Sequence, residues 1–96
     1  MVSIVQGVLN VCQTIDSPRT IHTVFDHMLS EVHELEMEFN SLGEDGVIGE
    51  AVDVILCALD VIYQDNPNVT EDDIARVVER KLTKWVRLYG NQTKEI

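Results

Sequence analysis

Apolar residues recur every three or four positions across residues 18–41, and this periodicity constrains the fold more than any other feature. The spacing places them on one face of an α-helix of about 24 residues, which would span roughly 36 Å. Ser17 is a suitable N-cap for this helix, with Pro18 in its first turn. The apolar face consists of Ile21, Val24, Phe25, Met28, Leu29, Val32, Leu35 and Phe39.

Three further helices are predicted, and no segment has the alternation of polar and apolar residues that indicates a strand. The first covers 2–13, and the third covers 47–64 after a turn at 43–46. Because the third is apolar on most sides, we expect it to be buried on more than one face. The fourth follows Thr70, a suitable N-cap preceding three acidic residues that favour the helix dipole, and Gly90 is expected to end it.

The 96 residues are expected to form one all-α domain that covers the whole chain, 1–96, since no linker, repeat or low-complexity tract interrupts it. Connections of a few residues between helices predict antiparallel neighbours in a four-helix bundle. A domain this small buries a limited core, and the long second helix has more apolar surface than one chain can cover. We therefore expect homo-oligomerisation to complete the bundle.

The overall charge excludes some partners. Seventeen acidic residues against seven basic ones give a net charge of −10, which argues against duplex nucleic acid as a partner.

No apolar run reaches the roughly 18 to 20 residues of a membrane span, and none resembles a signal peptide. Cys12 and Cys57 lie in separate apolar runs, which is typical of buried free thiols. These features predict a cytoplasmic protein without a membrane partner.

Two pairs of carboxylates suggest a metal site: Glu31 with Glu34, and Glu50 with Asp53. The members of each pair are three positions apart, so they lie on one helical face with Cβ atoms roughly 5 to 6 Å apart. A turn between the two helices would bring the pairs face to face. Residues 20–75 contain no Lys or Arg, so a divalent cation is the natural counter-charge. Oxygen ligands favour Mg²⁺ or Mn²⁺.

Other polar residues near these pairs have less specific interpretations. Glu38 continues the stripe of the first pair and Asp60 that of the second, so either could be an additional ligand, although a surface acid is the more common case. Glu36 is expected to face solvent. His27 lies one turn before Glu31 on the same stripe, and we expect it at the surface, within reach of a substrate or an acid.

The pattern E-x-x-E, a spacer of fifteen residues and E-x-x-D, all on helices, resembles the all-α nucleoside triphosphate pyrophosphohydrolases, and most closely their small MazG-like members. The resemblance covers 31–53 and extends to a basic segment at 81–89. Two positions depart from the family pattern. Ser30 stands where many relatives have the first residue of a Glu pair, and Trp85 stands where many have Asn.

The resemblance implies Mg²⁺-dependent hydrolysis of a nucleoside triphosphate between its α and β phosphates, with Mn²⁺ as a possible substitute and with nucleotide-pool house-cleaning as the role. It implies four metal-binding carboxylates, one of which, Glu34, activates the attacking water. It further implies that four residues of the last helix bind the substrate, although the basic ones also suit a helix C-terminus. The implied ligands are Glu31, Glu34, Glu50 and Asp53, and the implied substrate contacts are Lys81, Lys84, Arg87 and Trp85.

Members of this family form homodimers or homotetramers with sites between subunits, so we expect the last helix to reach a neighbouring copy's site. Two alternatives remain open. The first is a related enzyme that cleaves the same bond in phosphoribosyl-ATP. The second is a non-catalytic helical module that binds other proteins and has no Mg²⁺ dependence. A di-iron protein is disfavoured, because the chain lacks the Glu-x-x-His pairs of such sites.

Overall fold

The computed structural model describes residues 3–15, 17–39 and 46–90. These residues form four α-helices and a π-helical segment, which confirms the predicted all-α class and the predicted four helices for this part of the chain. The π-helical segment directly continues the last α-helix. The elements are α1 (Ile4–Thr14), α2 (Ile21–Glu38), α3 (Gly46–Asp65), α4 (Glu71–Trp85) and the π-helical segment (Val86–Gly90).

The helix α2 begins later than its sequence pattern predicts. Thr20 is the N-cap, and its Oγ1 accepts a hydrogen bond from the Thr23 N–H at 3.2 Å. The Thr23 Oγ1 in turn accepts a hydrogen bond from the Thr20 N–H at 3.0 Å. These reciprocal bonds satisfy two N–H groups, whereas a lone serine cap satisfies one, so the prediction of Ser17 as N-cap is wrong. Thr70 caps α4 as predicted, in a similar capping box with Asp73.

Gly46 opens α3 with a φ of 70°. This left-handed conformation suits glycine, which has no Cβ to clash with the backbone. The rest of the predicted turn at 43–46, the predicted end of the second helix at Ser41 and the predicted first residue Val2 lie outside the described residues.

The helices α2 and α3 pack along each other as an antiparallel hairpin. Residues early in α2 meet residues late in α3: His27 Nδ1 lies 3.8 Å from Cys57 Sγ. Further along α2, a carboxylate oxygen of Glu31 lies within 4.8 Å of one of Asp53, which is earlier in α3. The helix α1 packs on α3, and α4 packs on α1.

The core of the single chain is small. Leu9, Leu59 and Ile74 form its centre and come from α1, α3 and α4. Large apolar residues elsewhere are exposed, including Ile48 of α3 at 82%. The expectation that α3 is buried on more than one face is confirmed at Cys57, which lies against α2, and at Leu59, which packs against α1 and α4, although apolar residues elsewhere on α3 remain exposed. Across 3–15, 17–39 and 46–90, the other buried apolar residues are Cys12, Val24 and Cys57.

The second half of α4 extends away from the other helices. Every residue across 75–89 is exposed. The radius of gyration is 15.9 Å, whereas a compact chain of this length would have about 12.5 Å. None of the helices in the described residues is long and apolar enough to cross a membrane.

Candidate metal centre

The α2–α3 hairpin brings three of the four predicted carboxylates together. One oxygen of each of Glu31, Glu50 and Asp53 lies within 4.8 Å of the other two, and all three residues are half-buried. The geometry follows from the sequence spacing, since Glu50 and Asp53 share one face of α3 and that face lies against Glu31. Three hard oxygen donors from two helices are a ligand set that fits Mg²⁺ or Mn²⁺.

Glu31 is the most constrained of the three side chains. Its side chain is 15% exposed, and its Oε2 is buried without a hydrogen-bond partner among the described residues. A hydrogen bond with Glu34 raises the pKa of Glu31, and burial and the charges of Glu34 and Asp53 raise it further. Two carboxyl groups can hydrogen-bond only when one carries a proton, so these neighbours disfavour the ionised form of Glu31. A cation beside this carboxylate would oppose that effect.

Glu34 lies outside the group of three. It is exposed on α2, three positions after Glu31, and its proximity raises the pKa of Glu31. The structure therefore places Glu34 at the solvent side of the cluster. That position leaves its carboxylate accessible to a water molecule.

His27 lies on α2 beside this cluster. Its Nε2 lies 3.1 Å from Glu31 Oε1, while its ring is 65% exposed. Both features agree with the prediction of a surface histidine within reach of an acid. Glu36 is 74% exposed near His33, which confirms that it faces solvent. Glu38 is half-buried at the end of α2 and does not belong to the group of three.

Asp60 has a role that the sequence did not reveal. The Arg19 guanidinium forms an ion pair with its Oδ2, and the Cys12 thiol and the Gln64 amide donate to its Oδ1 at 3.4 and 3.2 Å. With a side chain only 18% exposed, Asp60 is not a surface acid, and that interpretation is wrong. Arg19 lies one residue before the stretch without Lys or Arg, but nothing in the sequence near it specifies Asp60 as its partner.

Cys12 and Cys57 are buried free thiols, as predicted. Burial raises the pKa of both thiols, and the negative charge of Asp60 contributes at each of them. Glu31 and Asp53 raise the pKa of Cys57 as well. Both groups therefore remain protonated at neutral pH, where they act as weak hydrogen-bond donors rather than nucleophiles.

The single chain does not bring the predicted substrate-binding residues to the carboxylates. Lys81, Lys84, Trp85 and Arg87 all lie on the exposed part of α4 and the π-helical segment, which extends away from the α2–α3 hairpin. The four side chains divide between two surface grooves of about 600 Å³ each. Lys81 and Trp85 line an apolar groove with Ile62, Val77 and Leu82, and Lys81 also lines a basic groove with Arg76, Arg80, Lys84 and Arg87.

A further surface pocket, called the cavity below, has a volume of about 580 Å³ and lies between α1 and the α2–α3 hairpin. Its walls are mostly apolar, and His27, Asp60 and the two thiols contribute polar groups. Sequence reasoning missed this cavity because its walls come from three helices that are distant in the chain. His27 is a wall of the cavity and also touches Glu31, so the cavity adjoins the carboxylate cluster.

No family model matches the sequence, and comparison with curated proteins and with solved structures finds no significant match. The resemblance to the all-α pyrophosphohydrolases thus remains a prediction from the motif.

Proposed function

We propose that this chain is a Mg²⁺-dependent nucleoside triphosphate pyrophosphohydrolase of the MazG-like kind, with Mn²⁺ able to substitute. The observation that carries the proposal is the convergence of Glu31, Glu50 and Asp53 from two adjacent helices. They converge within a stretch, residues 20–75, that contains no Lys or Arg. A cytoplasmic role in cleansing the nucleotide pool fits such an activity.

Electrostatics favour a cation at this point. Ionised carboxylates within 4.8 Å of one another repel. The pKa of Glu31 is raised first by a hydrogen bond with Glu34 and by burial, and the charge of Asp53 adds to the effect. A guanidinium offsets the charge of Asp60 elsewhere on α3, whereas the stretch 20–75 that carries Glu31, Glu50 and Asp53 contains no Lys or Arg, and His27 is the basic side chain beside Glu31. A bound Mg²⁺ would supply positive charge at this point, and it would favour the ionised form of Glu31.

The residues suggest a division of labour. Glu31, Glu50 and Asp53 would hold Mg²⁺, which when bound neutralises phosphate oxygens and positions the α–β anhydride. Glu34, exposed beside Glu31, would orient a water molecule and accept its proton as the water oxygen bonds to phosphorus. The bond between that phosphorus and the bridging oxygen breaks, which gives a nucleoside monophosphate and pyrophosphate.

A second copy of the chain would complete this site. Five of the seven basic residues lie within 76–87, on the part of α4 that extends away from the carboxylates of its own chain. In a homodimer or homotetramer, α4 of one copy would place Lys81, Lys84 and Arg87 near the acidic cluster of another, where they would bind the phosphates. Trp85 would contact the substrate from the same helix. Burial of the exposed apolar face of α4 would stabilise the assembly.

The test is a panel of canonical and modified nucleoside triphosphates, assayed with Mg²⁺ for pyrophosphate release by the wild type and by Glu34→Gln. Glu36→Gln is the matched control, because it removes another exposed carboxylate, two positions away, that faces solvent. We expect hydrolysis by the wild type and the control, a large loss in Glu34→Gln, and loss of activity on chelation that Mg²⁺ or Mn²⁺ restores.

Two results would contradict this proposal. Turnover of phosphoribosyl-ATP alone would indicate the related enzyme. If no substrate is hydrolysed faster by the wild type than by Glu34→Gln, the enzyme hypothesis fails and the helical interaction module becomes the better explanation.

A further inference from the structure

We propose that the cavity between α1 and the α2–α3 hairpin binds the base and sugar of a nucleotide, and that Asp60 selects bases carrying an exocyclic amino group. The inference rests on the proposed function for the location of the phosphates. The cavity, however, can be tested without hydrolysis. Its volume of about 580 Å³ lies within the roughly 300 to 1,000 Å³ of typical small-molecule pockets.

The position of the cavity fits a nucleotide whose phosphates lie at the carboxylate cluster. His27 lines the cavity, and its Nε2 lies 3.1 Å from Glu31 Oε1. A ligand in the cavity and a phosphate chain at Glu31, Glu50 and Asp53 would therefore be neighbours on the two sides of one imidazole ring. The apolar walls formed by Val8, Val11 and Leu56 suit the faces of a base.

Asp60 supplies a carboxylate acceptor to this mostly apolar cavity, which His27, Ser3 and the Cys12 and Cys57 thiols also line. Asp60 lines the cavity, and Arg19 holds its carboxylate in place through an ion pair. One of its bonds is weak, because the donor is the Cys12 thiol at 3.4 Å. The amino group of a base is a stronger donor than a thiol, so it can replace the thiol at Asp60 Oδ1.

The same carboxylate disfavours bases that present a carbonyl group at that position. Aspartate accepts a hydrogen bond from the N4 amino group of cytosine, whereas the O4 of uracil or thymine would place an acceptor against an acceptor. A contact between two acceptors, in place of a donor and an acceptor, discriminates between such otherwise similar ligands. We expect cytosine to be preferred over uracil by about tenfold or more.

Gly7 offers a way to fill the cavity while leaving the fold intact. It lies on α1 at the cavity wall, and a Cβ added to it would meet no atom within 4 Å. Leucine also has a higher helix propensity than glycine, so Gly7→Leu should keep α1 helical while its side chain occupies the cavity. Gln13→Leu is the matched control, since Gln13 lies on the same helix, is exposed and does not line the cavity.

The experiment measures the binding of dCMP and dUMP in Mg²⁺ buffer by calorimetry, and the kcat and KM for dCTP and dUTP. The two members of each pair differ in the amino or carbonyl group on C4 of the base. We expect the wild type and Gln13→Leu to bind dCMP about tenfold or more tightly than dUMP. Gly7→Leu should lose binding of both and raise KM, and Asp60→Asn, whose amide can donate to O4, should reduce or reverse the preference.

Equal binding of dCMP and dUMP by the wild type would overturn the selection by Asp60, and unchanged dCMP binding by Gly7→Leu would overturn the cavity as the binding site. Either result could accompany active hydrolysis, which would leave the proposed function intact. Conversely, selective dCMP binding that Gly7→Leu abolishes would support the cavity even if no triphosphate is hydrolysed. If circular dichroism shows that Asp60→Asn does not fold, the wild-type preference and Gly7→Leu decide the result.

Discussion

Asp53 and Asp60 lie on one face of the same helix, α3, yet they have opposite electrostatic environments. Asp60 is paired with the Arg19 guanidinium and accepts two further hydrogen bonds. Asp53 faces Glu31 and Glu50 at carboxylate separations within 4.8 Å. One carboxylate is neutralised by the chain itself, and the other is surrounded by more negative charge.

The difference shows how an acidic residue in a helix can be assigned a role. An ion pair that is largely shielded from water stabilises the fold only while both partners are present, and removing one leaves a costly unpaired charge. A cluster of like charges has the reverse property, because removing one member relieves repulsion unless a cation is bound. The same substitution at the two positions should therefore have opposite effects.

The largest expected effect is on catalysis. Asp53→Asn should lower kcat/KM for pyrophosphate release by at least about 100-fold. Substitution of a residue that only orients a metal ligand lowers activity by up to about 100-fold, and loss of a ligand itself should cost at least as much. Steady-state kinetics with Mg²⁺ measure it. Asp65→Asn, at the exposed end of the same helix, is the control and should retain wild-type activity. Equal activity of the two variants would exclude Asp53 as a ligand.

The next effect is on stability. Asp60→Asn should lower the free energy of unfolding by about 2 kcal/mol, below the range for fully buried pairs since both side chains are about one-fifth exposed. In metal-free buffer Asp53→Asn should instead raise it by about 0.5 kcal/mol, as expected for relief of a like-charge contact. Urea denaturation at one fixed protein concentration measures both. A change of the same sign in both variants would remove the distinction between the two sites.

Metal binding gives a smaller and directly related effect. Mg²⁺ at a tenfold excess over its dissociation constant should stabilise the folded protein by about 1.4 kcal/mol, because it binds the assembled cluster and not the unfolded chain. Thermal denaturation with increasing Mg²⁺ measures the shift. Asp60→Asn should retain this shift and Asp53→Asn should lose it, whereas a shift that survives in Asp53→Asn would place the metal elsewhere.

The smallest effect is the dependence of stability on pH. The pKa of Glu31 is raised in the folded state, so the folded protein binds a proton more tightly than the unfolded chain does. The stabilisation from this proton is complete below the ordinary glutamate pKa, and it is lost as the pH rises through the raised value of the folded state. Melting temperatures of metal-free protein from pH 4 to 7 should show this loss in the wild type and not in Glu31→Gln. A parallel pH dependence in both proteins would assign the effect to other groups.

The sequence predicted the helices and the carboxylate cluster because both depend on short spacings. Apolar residues every three or four positions identify a helix, and carboxylates at i and i+3 share its face. The N-cap of α2 was mistaken because its capping box uses Thr23 at the position where Glu or Gln is usual. The degree of burial of α3 could not be inferred, since an apolar pattern does not indicate whether the same chain or another copy covers it.

The pairing of Arg19 with Asp60 and the adjacent cavity could not be inferred from the sequence, because they depend on tertiary packing. The two paired residues are 41 positions apart, and nothing local to either one specifies the other. The cavity likewise depends on how α1 lies against α3, which small differences in side-chain packing determine. The proposed base selectivity depends on both of these features of the tertiary packing.

The exposure of α4 has a consequence for the dynamics of the chain. With residues 75–89 exposed, most of this helix has only its N-terminal cap and its own hydrogen bonds to maintain it, and isolated helices of this length are marginal in water. Its backbone amides should therefore exchange with deuterium rapidly in dilute solution and slowly in concentrated solution, where copies cover the helix. The amides of α3 near Leu59, which lie in the core of the single chain, should exchange slowly at both concentrations.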